Sequence, residues 1–169
     1  VNSASLDDRL KGNLVKADRN STIESFEVYA GVESSCQLDF YLLETPSLTS
    51  STTQSWKVLW NNLDEARTGG SNVETWHYSG PVGVPVKAGY YYALLYGWNC
   101  TTSGRIVEYF YGTPSSVNPG FGTYTGRFSS TSYASTTGYA VGSTYSIGSN
   151  YVSTTSTMGY RIRVNFNDL

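Results

Sequence analysis

Alternation of apolar and polar residues with a period of two is the feature that most constrains the fold of this chain. It is clearest near the C-terminus, where apolar or aromatic residues occupy every second position from Met158 to Phe166, and Arg161, Arg163 and Asn165 lie between them. Successive side chains of a β-strand point to opposite faces. The spacing therefore predicts a strand whose apolar side faces a core and whose two arginines face outward.

The same pattern recurs in earlier segments. Three predicted strands each place one set of residues on a single face: Phe26, Val28 and Ala30; Cys36, Leu38, Phe40 and Leu42; and Trp56, Val58 and Trp60. The run from Tyr90 to Tyr96 is apolar on both faces, which is typical of a central strand. Charged residues are only 14% of the chain, while Ser, Thr, Gly and Tyr are abundant, and this composition favours strands and turns. We predict an all-β fold, an antiparallel β-sandwich resembling a jelly roll.

The first twenty residues depart from this pattern. They are polar and charged, and Leu6, Leu10 and Leu14 recur at the spacing of a helix. We interpret residues 1–20 as an N-terminal arm or linker, which leaves a short helix, a docking arm and a frayed terminus as alternatives. Residues 21–169 are predicted to form a single sandwich domain, as their length allows.

A second departure is the segment 113–157, which is rich in Tyr, Ser, Thr and Gly and contains Arg127 as its only charge. Four of its tyrosines recur at intervals of six, at Tyr133, Tyr139, Tyr145 and Tyr151. Because six is even, these rings share a face of any extended stretch. They either cover a sheet edge as part of hairpins or form an aromatic ladder. For the ladder we expect at least two exposed rings that contact a ligand or a second subunit, and a fold that survives replacement of all four by Ser.

Two cysteines are predicted to form a disulfide. Cys36 begins one predicted strand and Cys100 ends another, and in antiparallel neighbours the start of one strand lies beside the end of the other. The alternative is a pair of unbonded buried thiols. Because disulfides persist in oxidising compartments, the pair predicts a secreted, extracellular or cell-surface protein.

The middle of the chain resembles a known kind of module. The segments Ile23 to Tyr29, Leu38 to Glu44 and Ser79 to Tyr92 are similar, in this order, to β-sandwich accessory modules of large secreted bacterial proteins. The similarity covers roughly residues 12 to 112 and ends before the Tyr-rich segment. The resemblance implies a module that binds or spaces rather than catalyses, and it carries over no ligand residue.

Patterns that support catalysis or metal binding are weak. The only histidine, His77, is not accompanied by a Gly-x-Ser-x-Gly elbow, and we interpret it as a surface or rim residue. Nothing in the sequence marks a pair among the thirteen carboxylates, although Glu74 and Glu108 are the ones whose loss would test a hydrolase. One histidine and two cysteines that are predicted to be bonded are too few ligands for zinc. Calcium could use Asp7, Asp8, Asp64 or Glu65, but without a spaced Asp-x-Asp-x-Asp loop we interpret them as surface carboxylates. We expect no enzyme activity, no metal and no other cofactor.

Charge and hydropathy limit the partners. The formal net charge is -2 and the basic residues are scattered, so nucleic acid is not an expected partner. The most apolar stretch, Ala88 to Trp98, is too short and too interrupted by glycine for a membrane span.

Aromatic side chains are the best candidates for a binding site, because exposed Trp and Tyr rings can stack on the apolar faces of sugars. The candidates are Trp56, Trp60, Trp76, Tyr78, Tyr133, Tyr139, Tyr145 and Tyr151. Core packing is the alternative for Trp56 and Trp60. We predict a non-catalytic extracellular binding or adhesion module for a glycan or cell-surface ligand. The alternative is a structural subunit of a filament or surface assembly, which binds copies of itself.

Overall fold

Two antiparallel β-sheets pack against each other and confirm the predicted all-β sandwich. A computed structural model describes residues 2–5, 9–33, 36–48, 53–66, 73–100, 107–130, 138–148, 152–153 and 158–169. Within these ranges the only helix is the single turn α1 (Pro114–Val117), which lies at the start of the Tyr-rich segment. Within the same ranges no helix is long and apolar enough to cross a membrane.

Sheet A is organised around one long strand, β3. Its strands are β1 (Asn2–Ser5), β3 (Ser21–Val32), β6 (Val73–Tyr78), β7 (Val84–Val86), β9 (Val107–Gly112), β13 (Gly159–Tyr160) and β14 (Ile162–Asp168). The strands β6 and β7 pair with one edge of β3, and β9 and β14 pair with the other. Strands β1 and β13 extend the sheet beyond β9.

Sheet B is a continuous ladder in the order β11-β5-β4-β8-β2-β10-β12. Its strands are β2 (Arg9–Ala17), β4 (Cys36–Thr45), β5 (Thr53–Ala66), β8 (Tyr91–Cys100), β10 (Gly122–Ser130), β11 (Thr144–Gly148) and β12 (Val152–Ser153). The strands that the sequence predicts from Cys36 and from Tyr90 are neighbours at its centre.

The principal core lies between the two sheets. Its buried members include Phe26, Val28 and Ala30 of β3, Cys36, Leu38, Phe40 and Leu42 of β4, and Leu94, Tyr96 and Trp98 of β8. The predicted inward faces of β3 and β4 are therefore confirmed.

A second core lies on the outer face of sheet B. Its members are Leu10, Leu14, Tyr41, Leu43, Trp56, Val58, Ala93, Leu95 and Phe128, all of them with 0% exposure. Burying a large apolar side chain contributes about 1.5–3 kcal/mol, so this face is a substantial part of the fold. Both faces of sheet B are thus buried, which explains why β8 is apolar on both sides.

The predicted disulfide is present. Cys36 and Cys100 are directly opposite each other in the β4–β8 ladder, with their Cα atoms 3.9 Å apart, and their sulfurs are bonded. The link closes a loop across 64 positions of sequence, and the chain-entropy model assigns such a loop about 4 kcal/mol of stabilisation.

The prediction of an N-terminal arm or linker is wrong for residues 9–17. These residues form β2, which is hydrogen-bonded to β8 on one side and β10 on the other. Leu10 and Leu14 face the second core, while Lys11 and Asn13 face the space between the sheets. A spacing of four fits one face of a strand as well as one face of a helix, and the inward polar residues hid the strand pattern.

The prediction that Trp56, Val58 and Trp60 share a face is also wrong. In the β4–β5 ladder Leu42 is opposite Trp60 and Leu43 is opposite Val58, so Leu59 is an extra residue in β5. Such a β-bulge reverses the side to which the following side chains point. Trp56 and Val58 belong to the second core, whereas Trp60 packs against the principal core, 6.1 Å from the ring of Phe26.

Candidate functional site: the outer face of sheet A

The outer face of sheet A carries aromatic and charged side chains from four strands. The predicted C-terminal strand supplies two of them, since Ile162 is buried while Arg161 and Arg163 are exposed, as the alternation predicts. Strand β14 begins after Arg161, whose backbone N–H donates to Phe110 and whose carbonyl accepts from Tyr29. We define the outer aromatic face as Tyr29, Trp76, Tyr78, Phe110, Arg161 and Arg163.

Tyr29 is the centre of the ring contacts on this face. Its ring is 5.3 Å from that of Trp76 on β6 and 5.0 Å from that of Phe110 on β9, in edge-to-face arrangements. Trp76 is directly opposite Tyr29 in the ladder, so strand pairing alone brings these two rings together. Such contacts contribute about 0.5–1.5 kcal/mol each beyond area burial, and they hold the rings in fixed positions.

Two guanidinium groups cover these rings. The Cζ atom of Arg161 lies 4.2 Å from the centroid of Tyr29, and that of Arg163 lies 4.2 Å from the centroid of Trp76. Arg163 also donates from Nε to Glu27 at 2.6 Å, and this hydrogen bond raises the pKa of the guanidinium. The ring of Trp76 is therefore half-buried and covered by a guanidinium, and it does not offer an open surface for stacking.

Tyr78 is the open ring of the face. It is 51% exposed, and it is directly opposite Glu27 on β3, which is in turn directly opposite Arg163 on β14. Tyr78 makes no ring contact with any other residue that the structure describes. An exposed phenol ring, a carboxylate and a guanidinium thus form one row across three strands.

Two carboxylates lie in the row of Gly31, four residues along β3 from Glu27. Glu74 on β6 and Glu108 on β9 are both opposite Gly31 of β3, so they flank a position without a side chain. Glu74 is exposed and Glu108 is half-buried. The sequence did not mark these two residues as a pair, and the ladder places them on one face.

The structure separates the eight aromatic candidates. Trp56 is a core residue, Trp60 packs against the principal core, and only Trp76 and Tyr78 belong to the outer aromatic face. Tyr133 and Tyr151 lie outside the described residues.

Tyr139 and Tyr145 are half-buried and pack against the second core. Their rings are 4.7 Å apart because the chain turns between them, and the ring of Tyr139 is 5.5 Å from that of buried Tyr41. At the preceding Gly138, which has φ of +58°, a Cβ would lie 3.0 Å from the Tyr41 hydroxyl. The two rings thus share intramolecular contacts, and the expectation that Ser replacements leave the fold intact does not fit these contacts.

His77 differs from the predicted surface or rim residue. Its side chain points inward from β6, is only 8% exposed, and lies 3.1 Å from the carbonyl oxygen of Ala30 through Nε2. Within the described ranges, no three His, Cys, Asp or Glu side chains are grouped so that they could hold a metal ion.

Sequence reasoning missed Tyr29, Phe110 and Glu27 as members of the site. The signal was available in part, because residues that alternate with a buried set must face outward. Tyr29 and Glu27 alternate with Phe26, Val28 and Ala30 in this way. Comparisons with known proteins add no identity to this site, since no family model, curated protein or solved structure significantly matches the chain.

Proposed function

We propose that this chain is a non-catalytic, extracellular binding or adhesion module that recognises a glycan with the outer aromatic face. The observation that carries the proposal is the exposed ring of Tyr78 beside the ion pair of Arg163 and Glu27. The disulfide supports an extracellular setting, because such bonds persist in oxidising compartments.

A sugar ring presents a flat apolar face and a rim of hydroxyls. Tyr78 supplies a flat surface for the first, and its own hydroxyl gives a polar tip. Arg163 supplies donors and Glu27 supplies acceptors for the second, and hydrogen bonds to charged groups are stronger than neutral ones. Because Glu27 lies between the other two residues in the ladder, all three groups can reach one sugar ring.

Electrophoresis through gels that contain neutral polysaccharides tests the proposal. With a β-glucan, a xylan and a mannan as probes, we expect at least one gel to retard the protein. Tyr78→Ala and Arg163→Gln should each weaken that binding about tenfold, which corresponds to about 1.4 kcal/mol.

Two matched controls should bind as the wild type does. Val141→Ala truncates an exposed apolar side chain on a turn outside sheet A. Arg19→Gln removes an arginine whose Nε is also 2.6 Å from a carboxylate, Asp168, and which also stacks on a ring, that of Phe166. Equal loss in the controls, or migration unchanged in all three gels, would contradict the proposal. Elution as a large particle in size-exclusion chromatography would favour the self-assembling alternative.

A further inference from the structure

A second group of polar side chains lies between the sheets, where β2 and β10 of sheet B face β9 and β13 of sheet A. We define the Arg127 cluster as Lys11, Tyr109, Tyr111, Arg127, Ser129 and Tyr160. It is separate from the outer aromatic face, because its side chains point to the inner side of both sheets. Its central residue is the only charge in the Tyr-rich segment.

Strand register brings the sheet B members together. Lys11 is directly opposite Ser129 in the β2–β10 ladder, and Arg127 is opposite Asn13, two positions along the same face. Lys11 donates from Nζ to the Ser129 hydroxyl at 2.8 Å and lies 4.5 Å from the centroid of the Tyr109 ring. Asn13 fixes the opposing strand, since its side chain exchanges two hydrogen bonds with the backbone of Tyr160.

Arg127 differs from Lys11 in its partners. Its Cζ lies 5.0 Å from the centroid of Tyr111 and 5.9 Å from that of Tyr160, so the guanidinium packs against two aromatic rings. The guanidinium is half-buried, yet it donates no hydrogen bond to any residue that the structure describes. Leaving donors of a partly desolvated charge unsatisfied is unfavourable, and a planar set of such donors suits a carboxylate or sulfate group.

Neutral hydroxyls surround this cation. The ring of Tyr111 lies 5.2 Å from that of Tyr160 and 5.9 Å from that of Tyr109, so three phenols pack together beside Arg127. Burial is the main cause that raises the pKa of Tyr160 and of Tyr111, so both phenols remain protonated donors at neutral pH. Tyr160 and Lys11 are buried, while Arg127, Tyr111 and Ser129 are half-buried and form the accessible side of the cluster.

We propose that the Arg127 cluster binds an oxyanion, a sulfate or carboxylate group such as an acidic substituent of a glycan. Arg127 makes the charge-assisted hydrogen bonds, Tyr111 and Ser129 donate from their hydroxyls, and Lys11 adds a second positive charge behind them. The site does not depend on glycan recognition by the outer aromatic face.

Thermal unfolding in sodium sulfate, sodium galacturonate and sodium chloride at matched ionic strength tests the site. A ligand that binds only the folded state raises its stability with concentration. We expect sulfate or galacturonate to raise the midpoint of the wild type above its value in chloride, and the anion whose rise is larger in the wild type than in Arg127→Gln identifies the group. Arg127→Gln should lose this rise, and Arg127→Lys should keep a smaller part of it, because Lys retains the charge without the planar donors.

Sulfate also stabilises proteins by exclusion from their surface, and that effect is equal in all variants. Lys16→Gln is the matched control, because it removes an exposed cation of the same strand as Lys11 that stacks on the Tyr91 ring at 5.7 Å. The control should retain the full anion-specific rise. Equal rises in the wild type and Arg127→Gln, or no difference from chloride with either anion, would overturn the proposal.

Titration calorimetry with the same two salts decides the outcome if Arg127→Gln does not fold. Wild-type protein that gives no measurable heat of binding would also overturn the proposal.

Discussion

The outer faces of the two sheets differ in what they bury. The outer face of sheet B is a second core with fully buried Trp56 and Val58, and the described part of the Tyr-rich segment packs on it through Tyr139 and Tyr145. The outer face of sheet A carries half-buried rings under exposed arginines and leaves Tyr78 open. The same aromatic residue types are therefore fully buried on one sheet and partly or largely accessible on the other. Position in the fold, rather than residue type, separates buried rings from accessible ones.

Truncating one tryptophan on each outer face tests this difference most directly. Trp56→Ala should lower the free energy of unfolding by about 3–5 kcal/mol, as expected for a fully buried Trp, whereas Trp76→Ala should cost about 1–2 kcal/mol through lost ring and cation contacts. Urea denaturation of both variants measures the difference.

Trp56→Phe is the control for the packing argument. The indole Nε1 of Trp56 is buried and has no hydrogen-bond partner among the residues that the structure describes. Phe therefore removes an unsatisfied donor along with some volume, and its cost should be clearly smaller than that of Ala. Equal costs for Trp56→Ala and Trp76→Ala would refute the distinction between the two faces.

Alkaline pH tests the buried tyrosines of the principal core, which lies between the two outer faces, without a mutation on either face. Burial is the main cause that raises the pKa of Tyr92, Tyr96 and Tyr160 above the ordinary value of 10.0. Above this pH the unfolded chain loses phenol protons that the folded chain keeps, so stability is fully present below pH 10 and declines as the pH rises further. Just above pH 10 the decline should be smaller than the loss from Trp56→Ala.

Urea denaturation on both sides of pH 10 and the absorbance of tyrosinate measure this decline. Tyr96→Phe removes one titrating group and should make the dependence on pH shallower. A stability that stays constant through alkaline pH would show that these phenols ionise equally in both states.

The smallest expected effects separate Tyr139 and Tyr145 from Tyr78. Tyr139→Ser and Tyr145→Ser should each cost about 1–2 kcal/mol, because each ring is partly buried against the second core. Tyr78→Ser should change the stability by no more than about 0.5 kcal/mol, as is usual for an exposed side chain. Denaturant midpoints of the three variants and the wild type, measured side by side, test these stability differences. If Tyr139→Ser and Tyr145→Ser prove neutral, the predicted ladder for a ligand or a second subunit regains its support.

Local alternation predicted the strands whose two faces have different polarity. The inward faces of β3 and β4, the outward side chains of Arg161 and Arg163 and the Cys36–Cys100 pair follow from period two and from antiparallel pairing. The same reasoning failed for β2, because Lys11 and Asn13 face the interior and their partners are distant in sequence. A local pattern predicts that a polar residue faces solvent, because the buried hydrogen-bond partner of that residue is not visible in the nearby sequence.

The sequence by itself determined an all-β chain, the disulfide, and the side of each regular strand on which its apolar residues lie, because these depend on neighbours one or two positions apart. Only the tertiary structure decided which aromatic residues are accessible. The extra residue at Leu59 reverses Trp60, a turn folds Tyr139 and Tyr145 onto the second core, and strand pairing unites Tyr78, Glu27 and Arg163. Pairing register and the cover over a sheet face are set by contacts between segments far apart in the chain, and a local pattern contains no information about them.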